Sequence, residues 1–391
     1  MRKILKIILI LLLFSGLAGY LRIFNSSDVL ANTSPCNLPY PCKRLSHNMV
    51  YDSFNQRVIL FGGMTYSNSD YSTLADTWSY DYSVNEWTEL NTSVQPSSRS
   101  SFGIVYDSLN RKIVLFGGYT DDRIMNDTWI FDCTADQWEE AFPAVSPPAR
   151  TDPALYYDSS NEKTVLFGGV NYSEEEYFGD LWIYDYSSNT WEERNPETKP
   201  ATRYGHKMIY NNQSKEGILF GGRMVPGVDA NNDLWVYNYS NNSWIELYQE
   251  SKPEKRYWHD MVYDSDNNEI VVFGGRRNAM VPTDIFSDTW IYDRQVNQWK
   301  LADPGKSPSQ RVSSASVYDS LNKKIIFFGG CSGIPITEST VHNDTWVYDI
   351  GTVDWSEMAP GESLKSSAGF GIAMVAATLV YLVKRKEIHE W

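Results

Sequence analysis

Six arginines are the most conspicuous chemical groups in this chain. Arg44, Arg99, Arg150, Arg203, Arg256 and Arg311 each stand eighteen residues ahead of a glycine pair. Brought together by symmetry, six guanidiniums would form an anion site. Recurrence at one fixed place favours a structural hydrogen-bonding role instead. Three residues after an arginine stand His47, His206 and His259; His342 and His389 complete the set. Imidazoles in adjacent repeats have the chemistry of metal ligands, but a repeat role explains their position better, and no metal is expected. Asp76, Asp127, Asp180, Asp233, Asp288 and Asp344 also repeat with the frame. That regularity suggests turn capping rather than general acid–base work. No G-x-S-x-G, H-E-x-x-H or P-loop occurs. No catalytic residue and no cofactor is therefore assigned.

The four cysteines are too few for a disulfide scaffold. Cys36 and Cys42 are close enough in sequence to close a small loop. Cys133 and Cys331 lie in different repeats with nothing to pair them, and buried free thiols fit them equally well. There is no C-x-x-C pair of the kind that builds structural zinc sites.

These residues belong to a strongly periodic chain, and internal repeats decide the architecture. The glycine pairs are Gly62–Gly63, Gly117–Gly118, Gly168–Gly169, Gly221–Gly222, Gly274–Gly275 and Gly329–Gly330, at steps of 55, 51, 53, 53 and 55 residues. Seven residues after each arginine comes Tyr51, Tyr106, Tyr157, Tyr210, Tyr263 or Tyr318. After each glycine pair an Asp-Thr-Trp or Asp-Leu-Trp places Trp78, Trp129, Trp182, Trp235, Trp290 and Trp346. Nine residues later stand Trp87, Trp138, Trp191, Trp244, Trp299 and Trp355. The second period reads as four strands: a over Phe102 to Tyr106, a turn at Asp107 to Asn110, b over Lys112 to Phe116, c over Thr128 to Asp132, and d from Trp138. Strand b is apolar on both faces and must be covered on both. Radially packed four-stranded sheets supply that cover, which predicts an all-β, six-bladed propeller. Glycine permits close backbone approach where blades converge, and Trp and Tyr fill the wedge between diverging sheets.

The Arg-x-x-His start in three repeats, the glycine pair, the Tyr-Asp and the spaced tryptophans resemble Kelch repeats over roughly residues 44 to 358. The resemblance implies a six-bladed Kelch propeller of four antiparallel strands per blade, with the closing strand left open; residues 25 to 43 are one source for it. It also implies binding around the axial mouth. The copper-radical chemistry of galactose-oxidase-like Kelch enzymes needs a cross-linked Cys–Tyr, for which no cysteine here is well placed. A six-bladed sugar isomerase of the sialate mutarotase kind stays open, with Arg and Glu at the axial mouth.

Loop lengths locate the variable surface. Second tryptophan to next arginine is always twelve residues, whereas the stretch after the glycine pair runs from 8 residues (119–126) to 13 (331–343). The b–c loops and d–a connectors emerge on one face, and variable loops on a rigid scaffold usually carry recognition. That face holds Tyr119, and blades 4 and 5 are the most distinctive, with Arg223, Arg276, Arg277, Tyr204, Tyr257 and Trp258. Arg and aromatic residues are favoured at binding hot spots, though ordinary exposed loops would read the same way.

The net charge of −15 excludes unspecific nucleic-acid binding. The N-terminus has a basic start and an apolar run from Ile7 to Leu21, the pattern of a secretory signal. Cleavage after Ala31, cleavage after Ala18, and an uncleaved anchor all fit. Near the other end, Ser366 to Val383 is almost uncharged and precedes Lys384-Arg385-Lys386. This reads as a membrane span with a cytoplasmic basic end, leaving the propeller outside. Gly369-Phe370-Gly371 with the basic end also resembles an archaeal PGF-type sorting tail, although Ala368 replaces the usual proline. The domain reading is thus 1–31 signal or anchor, 32–43 linker with the Cys pair, 44–360 propeller, 361–367 linker, 368–383 span and 384–391 tail. The repeats run 44–95, 96–146, 147–199, 200–252, 253–307 and 308–360. Nine N-x-S/T sequons, at Asn25, Asn32, Asn91, Asn126, Asn171, Asn212, Asn238, Asn241 and Asn343, suit a glycosylated surface protein. The functional expectation is an extracellular, membrane-anchored module that binds protein or glycan. A surface carbohydrate-active enzyme is the alternative.

Overall fold

The computed structural model describes residues 38–359, save 68, 225–229, 279–280 and 282–283. The predicted signal or anchor, membrane span and tail, with Cys36, lie outside the described residues. Among the described residues no helix is long and apolar enough to cross a membrane.

Each repeat forms one antiparallel four-stranded sheet, six in all, and in blade 1 a separate hairpin, Met64–Ser67 with Asp70–Thr73, stands between the second and third strands. Blade 3 shows the plan with Ala154–Asp158, Lys163–Asn171, Glu176–Asp185 and Thr190–Arg194. Strand a of each blade packs against strand a of both neighbours, so these six strands surround the axis. Strand b is buried on both faces, as its sequence requires; in blade 1 Val58, Ile59, Leu60 and Phe61 are all buried.

The core is divided. Six apolar clusters each join two adjacent blades, including blade 6 with blade 1. Each strand-d tryptophan packs on the Phe-Gly-Gly phenylalanine of the preceding blade: Trp138 on Phe61, Trp191 on Phe116, Trp244 on Phe167, Trp299 on Phe220, Trp355 on Phe273 and Trp87 on Phe328. Among the described residues, ring closure uses no exchanged strand. Residues 38–43 form none, and blade 6 meets blade 1 as any two neighbours meet.

The glycine pair ends strand b in four blades. In blades 2 and 3, strands b and c continue through it as long hairpins, Lys112–Tyr119 with Ile124–Asp132 and Lys163–Asn171 with Glu176–Asp185. The shorter strands expected for blade 2 end too early, because a glycine pair at positive φ reads as a stop. Here it makes a register shift that the ladder survives.

Candidate functional site

The six repeat arginines are buried at the blade roots. Each guanidinium forms a two-toothed ion pair with the aspartate of its own Asp-x-Trp, as in Arg44–Asp76, Arg150–Asp180 and Arg256–Asp288. Nη1 also donates to the carbonyl of the first glycine, 2.8–3.0 Å away. The same carboxylates accept the indole N–H of the tryptophan two residues on. These aspartates thus do not cap turns, as their regularity had suggested. Turn capping falls to the aspartate of Tyr-Asp: Asp52 accepts the amides of Phe54 and Asn55, and Asp107 those of Leu109 and Asn110. Burial pushes the ion-paired carboxyls up, yet the guanidiniums outweigh it and hold Asp76, Asp180, Asp233, Asp288 and Asp344 below the ordinary range. With these bonds made, the arginine ring has little donor capacity for a ligand.

On the b–c face, short bridges fold the irregular loops down onto the scaffold. Tyr204 pairs with Arg223 and Arg223 with Ala230; Tyr257 pairs with Arg276 and Arg276 with Ile285. This geometry buries Tyr204, Tyr257, Arg223 and Arg276, whereas Trp258 and Tyr119 are half-buried and Arg277 is exposed. Tyr204 meets Tyr172 and Tyr257, and Tyr257 meets Trp258 at 4.6 Å. The Arg223 guanidinium lies 5.7 Å from the Tyr257 ring centre and has no acidic partner among the described residues. Arg276 donates to the carbonyl of Asn278, and burial lowers its pKa. Five of the seven expected residues thus adjoin one another around Tyr257. Arg277 pairs instead with Asp284, and the Tyr119 hydroxyl donates to the Asp121 carbonyl.

The axial mouth, where the Kelch resemblance implies binding, is lined by residues other than the Arg and Glu expected there. The second residue after each arginine has positive φ in every blade: Ser46, Ser101, Asp152, Gly205, Trp258 and Ser313. Five backbone bonds link these positions around the axis, Ser101 to Ser46, Asp152 to Ser101, Ser46 to Ser313, Ser313 to Trp258 and Trp258 to Gly205. No such bond joins Gly205 to Asp152, so the ring is open there. Inside is a cavity of about 180 Å³ lined by Lys207, Asp152, Asp260 and Trp258 among others. Lys207 lines this cavity, and its charge acts on His47 of blade 1, Asp152 of blade 3 and Asp260 of blade 5. Lys207 occupies a position where other blades carry Asn48, Gly103, Ala154, Asp260 and Ala315, and that departure was the available signal.

Burial pushes Asp152 up to about 6 despite help from Trp258, Ser101 and Lys207, and also raises Asp260, which accepts a hydrogen bond from Ser314. One carboxylate oxygen of Asp152 is buried without a hydrogen-bond partner. His47, His206 and His259 are buried against Phe328, Phe167 and Phe220, and burial lowers their pKa well below the usual value. No group of three His, Cys, Asp or Glu among the described residues is arranged to hold a metal. Cys42 is disulfide-bonded; Cys133 and Cys331 are buried free thiols.

Six consecutive four-stranded blades, joined by an arginine–glycine root and carrying variable loops on one face, define a β-propeller of the interaction-scaffold type. The sequence matches the KLHDC2/KLHL20/DRC7 Kelch-repeats domain over residues 19–215 and the Attractin/LZTR1 beta-propeller over residues 165–380. The chain belongs to the Kelch-repeat β-propeller family. It is 24% identical over 293 residues to Mei4-dependent protein 6 of Schizosaccharomyces pombe, covering 67% of this chain and 40% of that protein. It is 26% identical over 311 residues to Multiple epidermal growth factor-like domains protein 8 of Rattus norvegicus, covering 75% of this chain and 11% of that protein. Kelch domain-containing protein 2 of Bos taurus is 26% identical over 334 residues, covering 75% of this chain and 77% of that one. The chain thus spans two fifths or less of the length of the first two relatives. These matches support a protein-interaction module.

Proposed function

We propose that this chain is an extracellular Kelch module, held at the membrane by its C-terminal segment, that binds a protein or glycan through the b–c and d–a face. The anchoring rests on the two apolar terminal stretches with their basic flanks. The observation that carries the binding reading is Arg223. Every repeat arginine has its own aspartate, whereas Arg223 is buried on the variable face with tyrosines around it and no carboxylate partner among the described residues. A buried charge without a counter-charge is costly, and an acidic group brought by a partner relieves that cost.

The test is to screen the full chain against envelope-protein and glycan arrays, then measure the captured ligand with Arg223→Ala. At least tenfold weaker binding with unchanged melting is expected, as is release into the medium on deleting residues 366–391. A ligand that binds Arg223→Ala as well as the parent, or arrays that retain nothing, would overturn the binding reading. Continued membrane association of the deletion would overturn the C-terminal anchor.

A further inference from the structure

We propose that the axial cavity binds a monosaccharide-sized polyol, held between the Lys207 ammonium and the Asp152 and Asp260 carboxyls with its ring against Trp258. This goes beyond the loop-face reading, since it concerns a small molecule on the axis rather than a macromolecule beside it.

The cavity has a suitable size. Its volume of about 180 Å³ far exceeds the roughly 10–15 Å³ that one water needs. It falls below the ~300–1,000 Å³ common for drug-sized ligands. One six-membered ring fits those bounds.

The lining is also unsatisfied. The Lys207 side chain makes no ion pair or hydrogen bond among the described residues, although its charge reaches both aspartates. The partnerless oxygen of Asp152 is buried and stands at the one break in the backbone ring. Groups of this kind usually have partners, in protein or in something bound. A ligand with a single charge would be drawn to one side and repelled by the other. Hydroxyl groups both donate and accept, so one polyol can donate to Asp152 and accept from Lys207. Trp258 lines the same cavity and contributes apolar indole surface to it. Amphipathic sugar rings pair one apolar face with a polar rim, which matches this surface and these charges.

The chain itself supplies variants that its own blades tolerate. Lys207→Ala copies blades 3 and 6, and Asp152→Ser copies blades 1, 2 and 6. The full chain would be titrated by calorimetry and saturation-transfer NMR with glucose, galactose, mannose and N-acetylglucosamine, and with glycine and serine as zwitterions. At least one sugar should bind saturably. Each substitution should weaken it tenfold or more while the melting temperature holds, and Arg223→Ala should leave it unchanged. The proposal is overturned if no sugar binds, if only the amino acids do, or if both substitutions leave sugar affinity intact. Because Arg223 stands outside the cavity lining, failure here is distinct from failure of the loop-face reading.

Discussion

Two of the six strand-d tryptophans lack a hydrogen bond for the indole N–H, and one residue type explains why. Trp87, Trp138, Trp191 and Trp355 each donate across the blade junction to the threonine of a preceding Asp-Thr-Trp. Trp244 and Trp299 face the two blades that read Asp-Leu-Trp, with Leu181 and Leu234, and their indole nitrogens are buried without partners. Thr77→Val keeps the shape but removes the acceptor for Trp138. It should lower stability by about 1–3 kcal/mol, the usual cost of stranding a buried donor, read as an earlier urea midpoint. An unchanged midpoint would mean the bond contributes nothing. At this scale the sequence displayed both members of each pair, but not the pairing. The Arg–Asp partners lie 28 to 33 residues apart across loops of unequal length. Frame regularity alone therefore could not separate a cap from an ion pair. Tyr204, Tyr257, Arg223 and Arg276 likewise read as loop residues, because nothing local foretells the bridges that bury them.

The glycine pair shows how an element is set by its neighbour rather than by itself. Both glycines have positive φ in every blade. The amide of the second donates to the carbonyl of the next blade's arginine, from Gly63 to Arg99 around to Gly330 to Arg44. The first lies so close that a Cβ would meet that same carbonyl, 2.7 Å away for Gly168 and Arg203. Left-handed backbone costs a residue with Cβ roughly 1–2 kcal/mol before any clash is counted. Gly168→Ala should therefore lose about 3 kcal/mol or more. Gly305→Ala, whose Cβ would have no neighbour nearer than 3.9 Å, should stay within about 0.5 kcal/mol of the parent. Equal melting temperatures for the two variants would refute this account of the pair. Strands and their order were legible here because apolar runs and turn residues repeat. The long hairpins of blades 2 and 3 were not, since they depend on ladder bonds resuming beyond the glycines.

For the whole molecule, periodicity translates into rotational symmetry because each repeat buries its faces only against like neighbours. Closure then has to come from the last blade meeting the first. Arg44 donates its amide to the His342 carbonyl, Ser46 to Ser313, and Gly330 to Arg44. Trp87 packs on Phe328 with ring centres 5.0 Å apart and donates to Thr345. Trp191 does the same inside the ring, on Phe116 at 5.2 Å and to Thr128. If the seam is an ordinary junction, removing either tryptophan should hurt equally. Trp87→Ala and Trp191→Ala should each cost about 3–5 kcal/mol, as large aromatic truncations do, and agree within roughly 1 kcal/mol. Both should keep one cooperative transition in urea. A seam that opens readily would show itself otherwise: Trp87→Ala would cost little while Trp191→Ala kept its full penalty, and blades 1 and 6 would exchange amide hydrogens ahead of the rest. Equal penalties would instead place the strength of the disc in six like contacts, with no special clasp.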